Sequence, residues 1–64
     1  HTFAVFELRE QLQILYLNMW ELLHQLEYVA PHQRDTVYSE IADIRQQIQD
    51  TIAQLVEHDR AQHP

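Results

Sequence analysis

Residues 5–31 read VFELREQLQILYLNMWELLHQLEYVAP, and the spacing of their apolar side chains decides the fold. Val5, Leu8, Leu12, Leu15, Met19, Leu22, Leu26 and Val29 follow one another at steps of 3, 4, 3, 4, 3, 4 and 3. Alternating steps of three and four keep returning to one side of an α-helix, so this run predicts a stripe turned toward a neighbouring helix. Pro31 ends the run. It has no N–H to donate and disfavours helix at Ala30, yet it suits the first turn of a new helix. Beyond it Val37, Ile41, Ile44, Ile48, Thr51, Leu55 and His58 resume the pattern at steps of 4, 3, 4, 3, 4 and 3.

Two stripes on either side of one proline predict an all-α fold, an antiparallel two-helix hairpin with helices over about 3–29 and 32–60. Asp35 or Thr36 offers a competing start for the second helix, which would lengthen the connection to about six residues. At about 1.5 Å per residue each helix would be about 40 Å long. The register supports the hairpin. If the turn centres between Pro31 and His32, residues in one layer have numbers adding to 63: Leu26 with Val37, Leu22 with Ile41, Met19 with Ile44, Leu15 with Ile48, and Leu8 with Leu55. Leu12 then meets Thr51 with Ile52 beside it, and Val5 meets His58 at the open end. The expected core inside the hairpin is therefore Leu8, Leu12, Leu15, Met19, Leu22, Leu26, Val37, Ile41, Ile44, Ile48 and Leu55. The chain reads as a single domain over residues 1–64. It opens without an initiator Met, as a piece of a longer protein would, and His63 and Pro64 are expected to fray.

Composition narrows the function classes. Sixty-four residues lie near the lower limit at which one hydrophobic core holds a chain folded without disulfides, metal or oligomerisation. Cysteine is absent, which removes disulfides and thiolate metal sites. Ten acids stand against four arginines and no lysine, for a net charge of −6. Phosphate backbones and anionic membranes are bound through clustered cations, and Arg9, Arg34, Arg45 and Arg60 are spread along the sequence among acids. The absence of glycine argues against tight β-turns and phosphate-cradling loops, and nine glutamines suit solvated helix. Ile14–Leu23 is the longest apolar stretch, interrupted by Asn18 and Glu21 and too short to cross a bilayer. No signal segment opens the chain, so a cytoplasmic location is expected.

The two stripes do not use up the apolar residues. Phe6, Tyr16, Trp20 and Leu23 on the first helix, with Tyr38, Ala42, Ile52 and Val56 on the second, fall beside the stripes and on one flank of the hairpin. The opposite flank carries Gln11, Asn18, Gln25, Glu40, Gln47 and Gln54 with Glu7, Glu21, Asp43, Asp50 and Glu57. Burial of one large apolar side chain is worth about 1.5–3 kcal/mol, so leaving six or more in water forfeits on the order of 10 kcal/mol. That compares with the whole stability of a domain. The expected interface is thus Phe6, Tyr16, Trp20, Leu23, Tyr38, Ile52 and Val56, covered by a second copy related by a two-fold axis to make a four-helix bundle. Phe3, Ile14 and Leu17 lie off both sets, which leaves room for a higher oligomer or a second partner.

Groupings with chemical potential are sparse. Glu21 and His24 have the E-x-x-H spacing used by carboxylate-bridged metal bundles and form the weak metal candidate, but both fall on the outer surface of the helix. No metal or other cofactor is expected. His1 and His63 are terminal, His32 lies in the first turn of the second helix, and His58 in its last turn, where the helix dipole favours a cation. Ser39 and Thr36 share one helix with no His and carboxylate arranged beside them, so no enzyme is expected. Tyr28 and Tyr38 flank the turn and are candidates to close that end of the core.

The pattern therefore predicts a non-enzymatic interaction module: a self-associating hairpin, homodimeric or larger, acting as scaffold, chaperone, adaptor or inhibitor of a protein partner. In size and topology alone the chain resembles small dimeric RNA-binding regulators encoded on plasmids, which would imply RNA contact through paired helices. It also resembles the two-helix secretion co-chaperones, which would imply docking on a helical-repeat partner as a monomer or heterodimer.

Overall fold

The computed structural model describes residues 2–62. Helix α1 runs Thr2–Gln25, a short 3-10 turn covers Pro31–Gln33, and helix α2 runs Arg34–Gln62. The described residues contain no strand. The expected fraying of His63 and Pro64 and the terminal His1 lie outside the described residues. None of the described helices is long and apolar enough to cross a membrane.

The chain doubles back at Pro31. Helices of 24 and 29 residues measure about 36 and 44 Å at about 1.5 Å per residue, so a straight rod would exceed about 80 Å. The molecule spans only 49 × 15 × 11 Å, and α1 packs against α2.

The ends of the helices differ from the sequence expectation. α1 stops at Gln25 instead of continuing to residue 29. The N–H groups of Leu26, Glu27 and Tyr28 donate to the carbonyls of Leu23, His24 and Gln25 at 3.3, 3.2 and 2.9 Å, three residues back instead of four. The cause is local. Pro31 holds Ala30 extended at φ −66 and ψ 150, so the chain must leave the helix before residue 30. Many helices exit through a left-handed glycine, but this chain has no glycine, and no described residue has a positive φ. The last turn therefore tightens to meet its own carbonyls.

The second helix begins through the 3-10 turn, with Pro31 in its first position and Gln33 N–H donating to Ala30 O at 2.9 Å. Ala30 supplies no side-chain cap. Asp35 and Thr36 lie inside α2 instead of capping it, and Asp35 in the first turn sits where the helix dipole favours an acid. α2 ends at Gln62, two residues past the expected position.

The core is a seam between two helices. Leu15, Leu22, Val37, Ile48 and Thr51 are buried. Val5, Leu8, Leu12, Met19, Leu26, Val29, Ile41, Ile44, Leu55 and His58 are half-buried, with Ala4 and Ala30 beside them. Two helices alone cover a line of residues and cannot enclose it, which is why most of the stripe stays partly open. Thr51 is the most hidden side chain at 2% exposure, and its hydroxyl donates to Gln47 O at 2.9 Å. That bond keeps a polar group satisfied inside an apolar layer. Because Gln47 O can still accept from the helix backbone, Thr51→Val is expected to change stability by less than about 1 kcal/mol. An unfolding free energy from denaturant titration lowered by several kcal/mol would show that the hydroxyl has a second role.

Surface polar pairs contribute little. Arg60 and Glu57 approach to 4.0 Å with both side chains exposed, and Gln46 Nε2 donates to Asp50 Oδ1 at 3.1 Å one turn away. Exposed pairs of this kind are worth a few tenths of a kcal/mol.

Candidate interaction surface

The heptad geometry that turns one stripe of each helix inward also fixes what remains outside. In an antiparallel pair, the residues beside the seam on α1 lie next to their counterparts on α2. Phe6, Tyr16, Trp20 and Leu23 come from α1 and Tyr38, Ile52 and Val56 from α2, and all seven are exposed, from 39% at Ile52 to 63% at Trp20. Ala42 is exposed among them. On the other flank Glu7, Gln11, Asn18, Glu21, Gln25, Glu40, Asp43, Gln47, Asp50, Gln54 and Glu57 are all exposed. By the heptad repeat the first set shares one edge, where Arg9, Arg45 and Asp59 are interspersed, and the second set shares the other, polar and acidic edge.

The exposed apolar surface is larger on α1 than on α2. Phe3, Ile14 and Leu17 stand outside both the seam and the flank, at 72%, 58% and 64% exposure. Around α1, then, apolar side chains occur in the seam, on the flank and on the outward face, whereas the outward face of α2 carries Ser39, Gln46, Ala53 and Arg60. A helix with large apolar side chains on more than one side is normally buried on more than one side.

Tyr28 and Tyr38 do not close the turn end of the core; both are exposed, Tyr28 at 75%. Tyr28 stands one turn beyond His24, on the outer side of α1. Its ring meets His24 instead. Trp20 and His24 stack with ring centroids 5.3 Å apart and planes 3° from parallel, and Tyr28 meets His24 edge-on at 5.4 Å and 67°. The three rings form a ladder up the outer side of α1. The sequence signal for it is the four-residue spacing of Trp20, His24 and Tyr28, since side chains one turn apart touch on a helix surface. The stack restrains the exposed indole against the His24 ring.

Glu21 and His24, the weak metal candidate, are both exposed, and the His24 ring lies between Trp20 and Tyr28. The described residues hold no group of three or more His, Cys, Asp or Glu side chains placed to share a metal ion. Ser39 and Thr36 are exposed on α2. Two open depressions mark the surface. One is lined by Phe6, Arg9, Glu10, Leu12, Gln13 and Tyr16, the other by Ala53, Gln54, Glu57, His58 and Ala61. Neither is the enclosed apolar pocket that holds a small molecule.

Compared with known proteins, the chain matches no family model, no curated protein and no solved structure. The functional reading rests on the surface itself.

Proposed function

We propose that this chain is a non-enzymatic protein–protein interaction module: a helical hairpin that self-associates through its apolar flank, forms a four-helix bundle, and serves as scaffold, adaptor or inhibitor of a protein partner. The observation that carries this reading is the row of exposed large side chains, Phe6, Tyr16, Trp20, Leu23, Tyr38, Ile52 and Val56, on one edge of a molecule too thin to bury them. Patches of this kind on a small chain mark contact surfaces. Aromatic anchors such as Trp20 and Tyr16 carry a large share of the binding energy where they are covered. The acidic edge keeps the assembly soluble and rejects acidic partners.

Self-association links stability to concentration. Anything that binds the folded chain and not the unfolded one raises the unfolding midpoint by mass action. A hundredfold dilution is therefore expected to lower the thermal midpoint of this chain by several degrees. A midpoint independent of concentration would overturn the reading.

A further inference from the structure

We infer that a second copy of this chain also docks on the outward face of α1, antiparallel, with the two-fold axis passing at Leu17. This contact goes beyond the flank and borders it, since Phe6 and Trp20 lie at the edge of both. The outward face holds the most exposed apolar side chains of the described residues, Phe3, Leu17 and Tyr28, and the ring ladder shows that Tyr28 belongs to it although the α-helix has ended. What selects the occupant is self-complementarity. An isologous contact brings residue i of one copy to residue j of the other and j to i.

With the axis at Leu17, facing residues have numbers adding to 34. Leu17 meets Leu17. Glu10 of each copy meets His24 of the other, a carboxylate that accepts an N–H from the ring. Tyr28 of each copy enters between Phe3 and Phe6, while Ile14 and Trp20 border the central leucines on either side. Glu7 and Glu27 also share a layer, but helical winding sets Glu7 well to the side of Leu17, and both acids are exposed at the rim. Neighbouring registers fail this match. A sum of 31 sets Glu10 against Glu21, two acids facing each other across an apolar contact, and a sum of 27 sets Glu10 against Leu17 and Phe6 against Glu21. Of the three, the first alone sets Leu17 on Leu17 and acid on imidazole, with Glu21 of each copy facing Gln13 of the other beside them. Together with the flank contact it makes α1 the inner helix of the assembly and leaves the polar face of α2 outside. Two different two-fold contacts on one chain close into a tetramer when their axes meet at right angles.

The absence of cysteine makes the test direct. Leu17 is exposed in the hairpin, so Leu17→Cys leaves the fold intact, and mild oxidation is expected to give a covalent pair. Asp43→Cys, on the acidic edge, is the collision control and should give about tenfold less. Glu10→Lys should reduce the cross-linked yield by about tenfold, and adding His24→Glu to it should restore the yield. Val56→Glu breaks the flank without touching this face and should leave the Leu17→Cys pair in place. Equal cross-linking of the Leu17→Cys and Asp43→Cys chains, or no rescue by the second charge reversal, overturns the outward-face contact. That outcome with a mass still above one chain leaves the flank reading standing. A cross-link that survives while Val56→Glu leaves the parent mass unchanged supports the outward face and removes the flank. A chain that stays monomeric and uncross-linked, because a different protein covers α1, overturns both.

Discussion

Replacing Trp20 with Ala is expected to weaken self-association by about a thousandfold while leaving the isolated hairpin folded. The indole is 63% exposed in the single chain, so little of it supports the seam between α1 and α2. Covered by a second copy, an aromatic anchor of this size contributes on the order of 2 kcal/mol, and a symmetric contact contains it twice. Each 1.4 kcal/mol is a factor of about ten in the dissociation constant, so the two losses together reach about three powers of ten. Truncation also removes the top of the ring ladder, freeing His24 from its stack at 5.3 Å. Sedimentation at several concentrations measures the constant, and circular dichroism at high concentration reports the helices. An unchanged constant would show that this side chain is not part of the contact.

Leu15→Ala is expected to produce the opposite signature, a loss of the hairpin itself. Leu15 is 7% exposed in the middle of α1, on the stripe that packs against α2. Removing a buried leucine beyond its Cβ costs about 2–5 kcal/mol, part of it for the hole left behind. A chain of this length has a total stability of only about 3–10 kcal/mol, so this one change consumes much of it. At about 4–8 °C for each kcal/mol the thermal midpoint should fall by more than about 10 °C. Gln47→Ala, an exposed residue on the polar edge, is the control. A midpoint for Leu15→Ala no lower than that of the control would contradict the placement of Leu15 in the seam.

The hairpin is legible in the sequence because two physical signals agree. A 3.5-residue period from Val5 to Val29 and again from Val37 to His58 requires two helices, and Pro31 between them requires a break. The residues of those two stripes are buried or half-buried in the structure, and the acids and amides of the far edge are exposed. The helix ends are less legible. The exit from α1 depends on backbone bonds tightening over Leu26–Tyr28 to compensate for a missing glycine, and no side chain announces that. Tyr28 stays in step with Trp20 and His24 at the four-residue spacing, so its outward place follows the helical wheel although the α-helix has ended.

The surface is legible as a need and not as an identity. The spacing of Phe6, Trp20, Ile52 and Val56 beside the stripes shows that apolar groups are left over, because two helices have only one shared seam. The Trp20–His24–Tyr28 ladder is harder to see, because its middle member is polar and its spacing from Glu21 draws it toward a metal pair instead. Apolar area is non-directional, so it requires a cover without naming one. Specific recognition enters through polar pairs such as Glu10 and His24, and these become visible only when a register between two copies is set.

The most direct measurement is the mass of the parent chain in solution over a hundredfold range of concentration. One chain weighs 7.7 kDa. A mass of at least two chains at high concentration, falling toward one on dilution, is the predicted result. A mass of one chain at every concentration up to the millimolar range, with the helices intact, would contradict the claim that the apolar edge is covered by another copy.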